Sequence, residues 1–203
     1  MLAIAESGQS YYYLNWIPSE KGPLVSNFGK IDTEGKVDNI DKFYYDILFA
    51  LLQHKVEDEA ICTFSLDSQN ILFSTCSMDK KKDSIIDWHI DQCLDNNQRA
   101  MIDFYHYPMH KETKKVLNIG IPKQIRDSFH SNIRLLKSRL NGLSVGIFSA
   151  EVGARKWMLA DKNESYIIWK TGKNKNDEIL YINDGELHNY FGFNRKLNKA
   201  RIL

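Results

Sequence analysis

The sequence carries almost no net charge: 27 Lys and Arg residues stand against 26 Asp and Glu in a chain of 203. That balance removes the global electrostatic drive toward nucleic acid or an anionic membrane that a basic protein of this size would have. Cysteine is scarce as well. Cys62, Cys76 and Cys93 are odd in number, widely spaced and set in apolar stretches. This excludes a disulfide framework and fits buried thiols in a reducing, cytoplasmic compartment. No apolar run reaches the length of a membrane span, and Met1–Ser10 lacks the basic and apolar regions of a signal peptide. Direct membrane insertion is therefore not expected, and attachment to a membrane has to pass through a partner. Internal repeats and low-complexity segments are also missing. The chain is long enough to bury a hydrophobic core without covalent staples.

What is present is a regular alternation of strand and helix signals. Leu2–Glu6 and Tyr11–Trp16 read as strands joined by the polar turn Ser7-Gly8-Gln9-Ser10, and a third strand covers Leu24–Lys30. Asn39 offers an N-cap, after which Ile40, Phe43, Tyr44, Ile47, Leu48, Leu51 and Leu52 recur on one helical face. Strands follow at Ala60–Leu66 and Asn70–Met78, then a helix from Lys80 to Leu94 and strands at Met101–Tyr107 and Lys114–Ile121. A helix opened by Pro122 carries Ile125, Phe129, Ile133, Leu136 and Leu140, with Gly142 as its stop. Leu143–Phe148 is a further strand. Ser149 is placed to cap a helix through Leu159, with Glu151 near its positive end. Tyr166–Trp169, Glu178–Asn183 and Glu186–Phe191 close the chain as strands, the last two joined by the hairpin turn Asn183-Asp184-Gly185.

No complete catalytic set emerges. Ser77-Met78-Asp79-Lys80, Ser68-Gln69-Asn70 and Lys170-Thr171-Gly172 imitate the three motifs of serine β-lactamases. The first two stand in the wrong order, however, and Ser77 ends a strand instead of opening a helix. His106 and His110 flank Pro108, which breaks the helix needed to aim both rings at one metal. They read as two unrelated histidines of a surface loop, and no metal is expected. The basic runs at 80–82 and 111–115 read as solvated turns without an aromatic ladder for bases, so nucleic acid is not an expected partner.

The turn around Gly8 has chemistry to offer, because N–H groups converging at a glycine turn can hold phosphate and a neighbouring carboxylate can hold magnesium. A short glycine turn equally serves to close a hairpin. In its context of strand, turn, strand, strand and helix, Glu6-Ser7-Gly8-Gln9-Ser10 resembles the Asp-x-Gly hairpin of the actin-like ATPases of the FtsA branch, and within it the PilM family of type IV pilus assembly proteins. Gly8 and Ser10 match that pattern, and Glu6 replaces its aspartate. Ile85–Ile90, the two strands after it, the helix ending at Gly142 and Leu143–Ala154 are similar to the insertion subdomain and return helix of that family. Ile167–Gly172 stands where its second Asp-x-Gly hairpin begins, with Lys170 in the place of the second aspartate.

The resemblance implies an α/β fold, an actin-like (ribonuclease H-like) mixed sheet with a small α/β insertion. Residues 1–79 would open the main lobe, 80–148 form the insertion, and 149–203 supply the return helix and the hairpin that starts a second lobe, truncated at Leu203. It implies residual phosphate contact at Glu6, Gly8, Ser10 and Gly172. ATP is not expected as a cofactor and catalysis is not expected, because an ammonium at Lys170 cannot ligate Mg²⁺. The implied role is a non-catalytic scaffold at the cytoplasmic face of the inner membrane. It would grip a short peptide of an inner-membrane assembly protein in the cleft between main lobe and insertion, with Ile71, Phe73, Val116 and Ile119 on strand edges 71–77 and 114–119 as walls. Two alternatives stay open: a nucleotide-binding fragment of an actin-like ATPase, and a cytoplasmic platform domain of type II secretion. Self-association stays open too.

Overall fold

The computed structural model describes residues 1–33, 39–53, 59–77, 90–92, 94–157, 163–171, 176–194 and 199–202. They fall into two compact units, one made of Met1–Gln69 with Lys123–Gly146, the other of Asn70–Pro122 with Ile147–Leu203. The sequence boundaries at 79/80 and 148/149 therefore sit differently from the contact boundaries. The segment 123–146, read as part of the insertion, packs within the first unit.

The first unit is built on a five-stranded sheet of order β3-β2-β1-β4-β8. Its members are β1 (Leu2–Ser7), β2 (Ser10–Ile17), β3 (Leu24–Asp32), β4 (Ile61–Leu66) and β8 (Arg139–Val145). The first three strands are antiparallel neighbours, whereas β1 with β4 and β4 with β8 are parallel, so the sheet is mixed. Parallel pairs need crossovers, and two helices supply them: α1 (Ile40–Leu52), leading into β4, and α3 (Lys123–Leu135), leading into β8. The Asn39 side chain accepts from the Lys42 N–H, as its N-cap signal requires. The predicted apolar stripe of α1 buries Tyr44, Ile47, Leu48, Leu51 and Leu52. Phe129 of α3 sits 4.2 Å from the Phe64 ring of β4 and 4.4 Å from Tyr44, tying both helices to one sheet face. Each such fully buried side chain contributes roughly 1.5–3 kcal/mol. The opposite face shows Tyr12, Leu14 and Phe28 to solvent.

Around Gly142 the expected helix and its stop do not form. The helix ends at Leu135, and Leu140 and Gly142 lie in β8. Lys137 takes a left-handed conformation, φ 50°, its N–H donating to the Arg134 carbonyl while the Ser138 N–H reaches the Ile133 carbonyl. That crossed pair of bonds closes a helix C-terminus, and a lysine here fills the place usually given to glycine. The strand then follows because residues 139–145 can pair in parallel with β4.

The second unit holds two antiparallel sheets. One has the order β5-β7-β6, with β5 (Leu72–Ser77), β6 (Ile102–Pro108) and β7 (Lys115–Pro122). The other has the order β12-β11-β10-β9, with β9 (Tyr166–Lys170), β10 (Asn176–Asn183), β11 (Glu186–Asn194) and β12 (Lys199–Ile202), the last without a counterpart in the sequence reading. Asp184 and Gly185 both have positive φ, the backbone that a two-residue hairpin loop demands. A short α2 (Asn96–Ala100) opens on a capping box in which Asp95 and Gln98 satisfy each other's N–H groups. Helix α4 (Gly146–Lys156) starts three residues before Ser149, so Ser149 is not its cap. Glu151 accordingly lies mid-helix. It is buried, paired with Arg155 at 2.7 Å and accepting from the Tyr166 hydroxyl at 2.8 Å. Most of the predicted helix 80–94 lies outside the described residues.

Candidate functional site

The β1–β2 hairpin brings three of the four expected phosphate contacts to one place. Ser7 pairs with Ser10, leaving Gly8 and Gln9 as the loop, and Gly8 has φ 62°, which only glycine adopts freely at the first position of such a turn. Because β4 runs parallel to β1, the residue just past its end, Asp67, arrives beside this loop. The Gly8 N–H donates to Asp67 Oδ2 at 2.5 Å. The same carboxylate accepts from Ser68 Oγ and from Gln69 Nε2, each at 3.3 Å. Glu6 is fully engaged from below: Oε1 accepts from the Tyr11 hydroxyl and Oε2 from the Asp67 N–H, both at 2.9 Å. Ser10 donates to Asp32 Oδ1 at 2.6 Å.

The site is therefore anionic. Glu6 and Asp67 are both buried, and their field adds to burial in pushing the Tyr11 hydroxyl far above the ordinary tyrosine range. Tyr44 is raised by the same two causes, burial first and Glu6 second. Sequence reasoning missed Asp67, reading 67–69 only as a turn between strands. The available signal was its position directly after the apolar strand read at Ala60–Leu66. Gly172, the fourth expected contact, lies outside the described residues.

In the second unit Lys170 belongs to another network. Its ammonium lies 2.9 Å from Glu178 Oε2, while the Tyr190 hydroxyl donates to Glu178 Oε1 at 2.9 Å. Trp169 Nε1 donates to Asp177, which with Glu178 is buried. Glu178 is paired with the Lys170 ammonium from β9 and bonded by the Tyr190 hydroxyl from β11, while Asp177 accepts from the Trp169 indole, so Lys170 serves Glu178 as a cross-strand counter-ion.

Of the two expected strand edges, one is an edge: β5 is an outer strand of its sheet and pairs, among the described residues, with β7 alone. β7 is the central strand of its sheet, so 114–119 offers no edge, and Val116 and Ile119 are buried. Val116 packs with Cys76 and Ile90 on one face, with Phe104 and Leu94 beside them. Ile71 is buried, and the Phe73 ring lies tilted against that of Tyr190, 4.5 Å between centroids. Ile71, Val116 and Ile119 thus pack into the unit, while Phe73 on the outer strand β5 is half-buried. The other outer strand, β6, shows Tyr105 and Tyr107, 51% and 37% exposed. His106 on the same strand bonds to Asn118 at 2.8 Å. His110, expected in a surface loop, is buried instead. Its N–H donates to the Leu187 carbonyl and its Nδ1 accepts from the Glu112 N–H, which folds the β6–β7 connection back onto β11. Cys62 and Cys76 are buried free thiols.

No protein-family model matches the chain, and no curated protein matches it. Solved structures do. The chain is similar to a PilM–PilN type IV pilus biogenesis complex, with TM-score 0.71 and 9% identity over 95% of this chain and 60% of that one. It is similar to the cytoplasmic domain of EpsL, an inner-membrane component of the Vibrio cholerae type II secretion system, with TM-score 0.58 and 6% identity over 97% of this chain and 72% of that one. A Bacteroides thetaiotaomicron protein of actin-like ATPase fold and unknown function gives 0.53 and 11%, over 95% and 69%. The chain spans about three-fifths of the length of the first of these. At such identities the likeness establishes the fold, which is actin-like.

Proposed function

We propose that this chain, having an actin-like fold, works as a non-catalytic scaffold of a type IV pilus or type II secretion machine. It would hold an extended peptide of an inner-membrane assembly protein at the cytoplasmic face. The observation that carries the reading is the outer strand β6 of the three-stranded sheet. Among the described residues β6 pairs only with β7, and four consecutive residues, Tyr105 to Pro108, are exposed. An unpaired strand edge offers backbone donors and acceptors to an incoming strand, and the two tyrosines supply large, stiff contact surfaces for alternate side chains. The first-unit turn supports the same reading, because its donors and both its buried carboxylates are committed to one another. Likeness to a PilM–PilN complex accords with the binding of a partner.

The test places a photo-crosslinking residue at Tyr105 and, as a control, at Lys111, and recovers the chain from its native host. Recovery of an inner-membrane assembly protein crosslinked from position 105 and not from 111 is the expected result. Crosslinks from neither position, or equally from both, would remove β6 as the docking edge.

A further inference from the structure

The Gly8 turn has the parts of an anion site and an anion already in it. Its donors are the Gly8 N–H, the Ser68 hydroxyl and the Gln69 amide, converging from two sides. Space exists above the loop, since a methyl group placed on Gly8 would meet only Gln69 Nε2, at 4.0 Å. The two oxygens of Asp67 use these donors as two oxygens of a phosphate would. Asp67 cannot drift away easily. Its own N–H is held by Glu6, Glu6 is held by Tyr11, and the parallel pairing of β4 with β1 fixes the distance between residue 67 and the loop.

An intramolecular carboxylate presents itself at an effective concentration of millimolar or more, before any positional rigidity is counted. A free phosphate must displace it and then sit against the negative charge it displaced, with Glu6 buried close by. Both effects have the same sign. We propose that Asp67 is a built-in anion that occupies a phosphate-sized site at the Gly8 turn. The turn then accepts inorganic phosphate or a nucleotide phosphoryl group only when this carboxylate is removed or neutralised. This goes beyond the docking role and does not depend on it, since β6 belongs to the other unit.

The experiment titrates inorganic phosphate, and separately ATP, into the wild-type chain and into Asp67→Ala and Asp67→Asn, following the Gly8 amide resonance and the melting temperature. Asp67→Asn keeps an oxygen for the Gly8 N–H and so guards against a variant that fails to fold. The variants are expected to bind phosphate about tenfold or more tighter than wild type, the effect of removing one like charge at contact distance. Gln69→Ala in the Asp67→Asn background should weaken that binding. A Gly8 shift with ATP but not with phosphate would assign the gain to contacts outside the turn and overturn the proposal. Phosphate binding by the wild type as tight as by the variants would show the turn open, and no binding by either variant would show that the turn is not an anion site. Either result would also overturn it. Crosslinking from Tyr105 should be unchanged in both variants, which separates this outcome from that of the docking test.

Discussion

Replacing Lys170 by aspartate, the residue that the Asp-x-Gly pattern would place there, should destabilise the second unit. The ammonium of Lys170 is the cation 2.9 Å from Glu178, a carboxylate whose side chain is 5% exposed, and Asp177 lies buried one residue away. Breaking a buried pair by removing one partner costs about 3–5 kcal/mol. Lys170 retains 20% exposure, so water relieves part of that loss and about 2–4 kcal/mol is the working figure. For a chain of 150–250 residues each kcal/mol moves the melting temperature by about 2–4 °C, giving a fall of roughly 4–16 °C. The assay is urea unfolding followed by tryptophan fluorescence, with Trp169 adjacent as reporter. The midpoint should fall with the slope unchanged. A loss below about 1 kcal/mol, typical of exposed pairs, would refute the counter-ion role.

Phe129→Ala should cost about 3–5 kcal/mol, since a fully buried ring in contact with Tyr44 and Phe64 leaves a void under the sheet; near-wild-type unfolding would contradict that packing. Gly120→Ala should cost about 1–3 kcal/mol, because a Cβ there would stand 2.9 Å from the Phe104 ring and 3.2 Å from the Leu72 Cβ in the central strand β7. Alkaline pH should destabilise the fold. Burial, with the hydrogen bond to Glu151 second, pushes Tyr166 up to about 12 from its ordinary value of 10. A group with a raised folded pKa contributes stability that is complete below the unfolded value and is lost as pH climbs through the folded one. Stability measured by urea midpoint should therefore drop between pH 10 and 12, more steeply for wild type than for Tyr166→Phe; equal slopes would speak against the shift.

The elements whose signal is local were legible in the sequence. The cap at Asn39 and the three-and-four spacing after it specify α1 because those features act within a few turns of one helix. Alternation of aromatic residues and the turns at Gly8 and Asp184-Gly185 specify their hairpins for the same reason. The family resemblance, read from element order, led to the actin-like fold, since order along the chain survives when identity has fallen to 9%. What needed the tertiary structure were the facts set by partners distant in sequence. Residues 139–145 are strand only because β4 offers them a parallel edge, a pairing that outweighs the helical spacing of Leu136 and Leu140. The stretch 114–119 offers no edge because β7 is flanked on both sides, and Val116 and Ile119 are interior because both faces of β7 are covered. Asp67 reaches Gly8 across 59 residues of chain, and Lys170 meets Glu178 through strand pairing. Composition and spacing state which groups a chain possesses. Which carboxylate fills which set of donors depends on the folded geometry, because hydrogen bonds and ion pairs act over a few ångströms of space and not along the sequence.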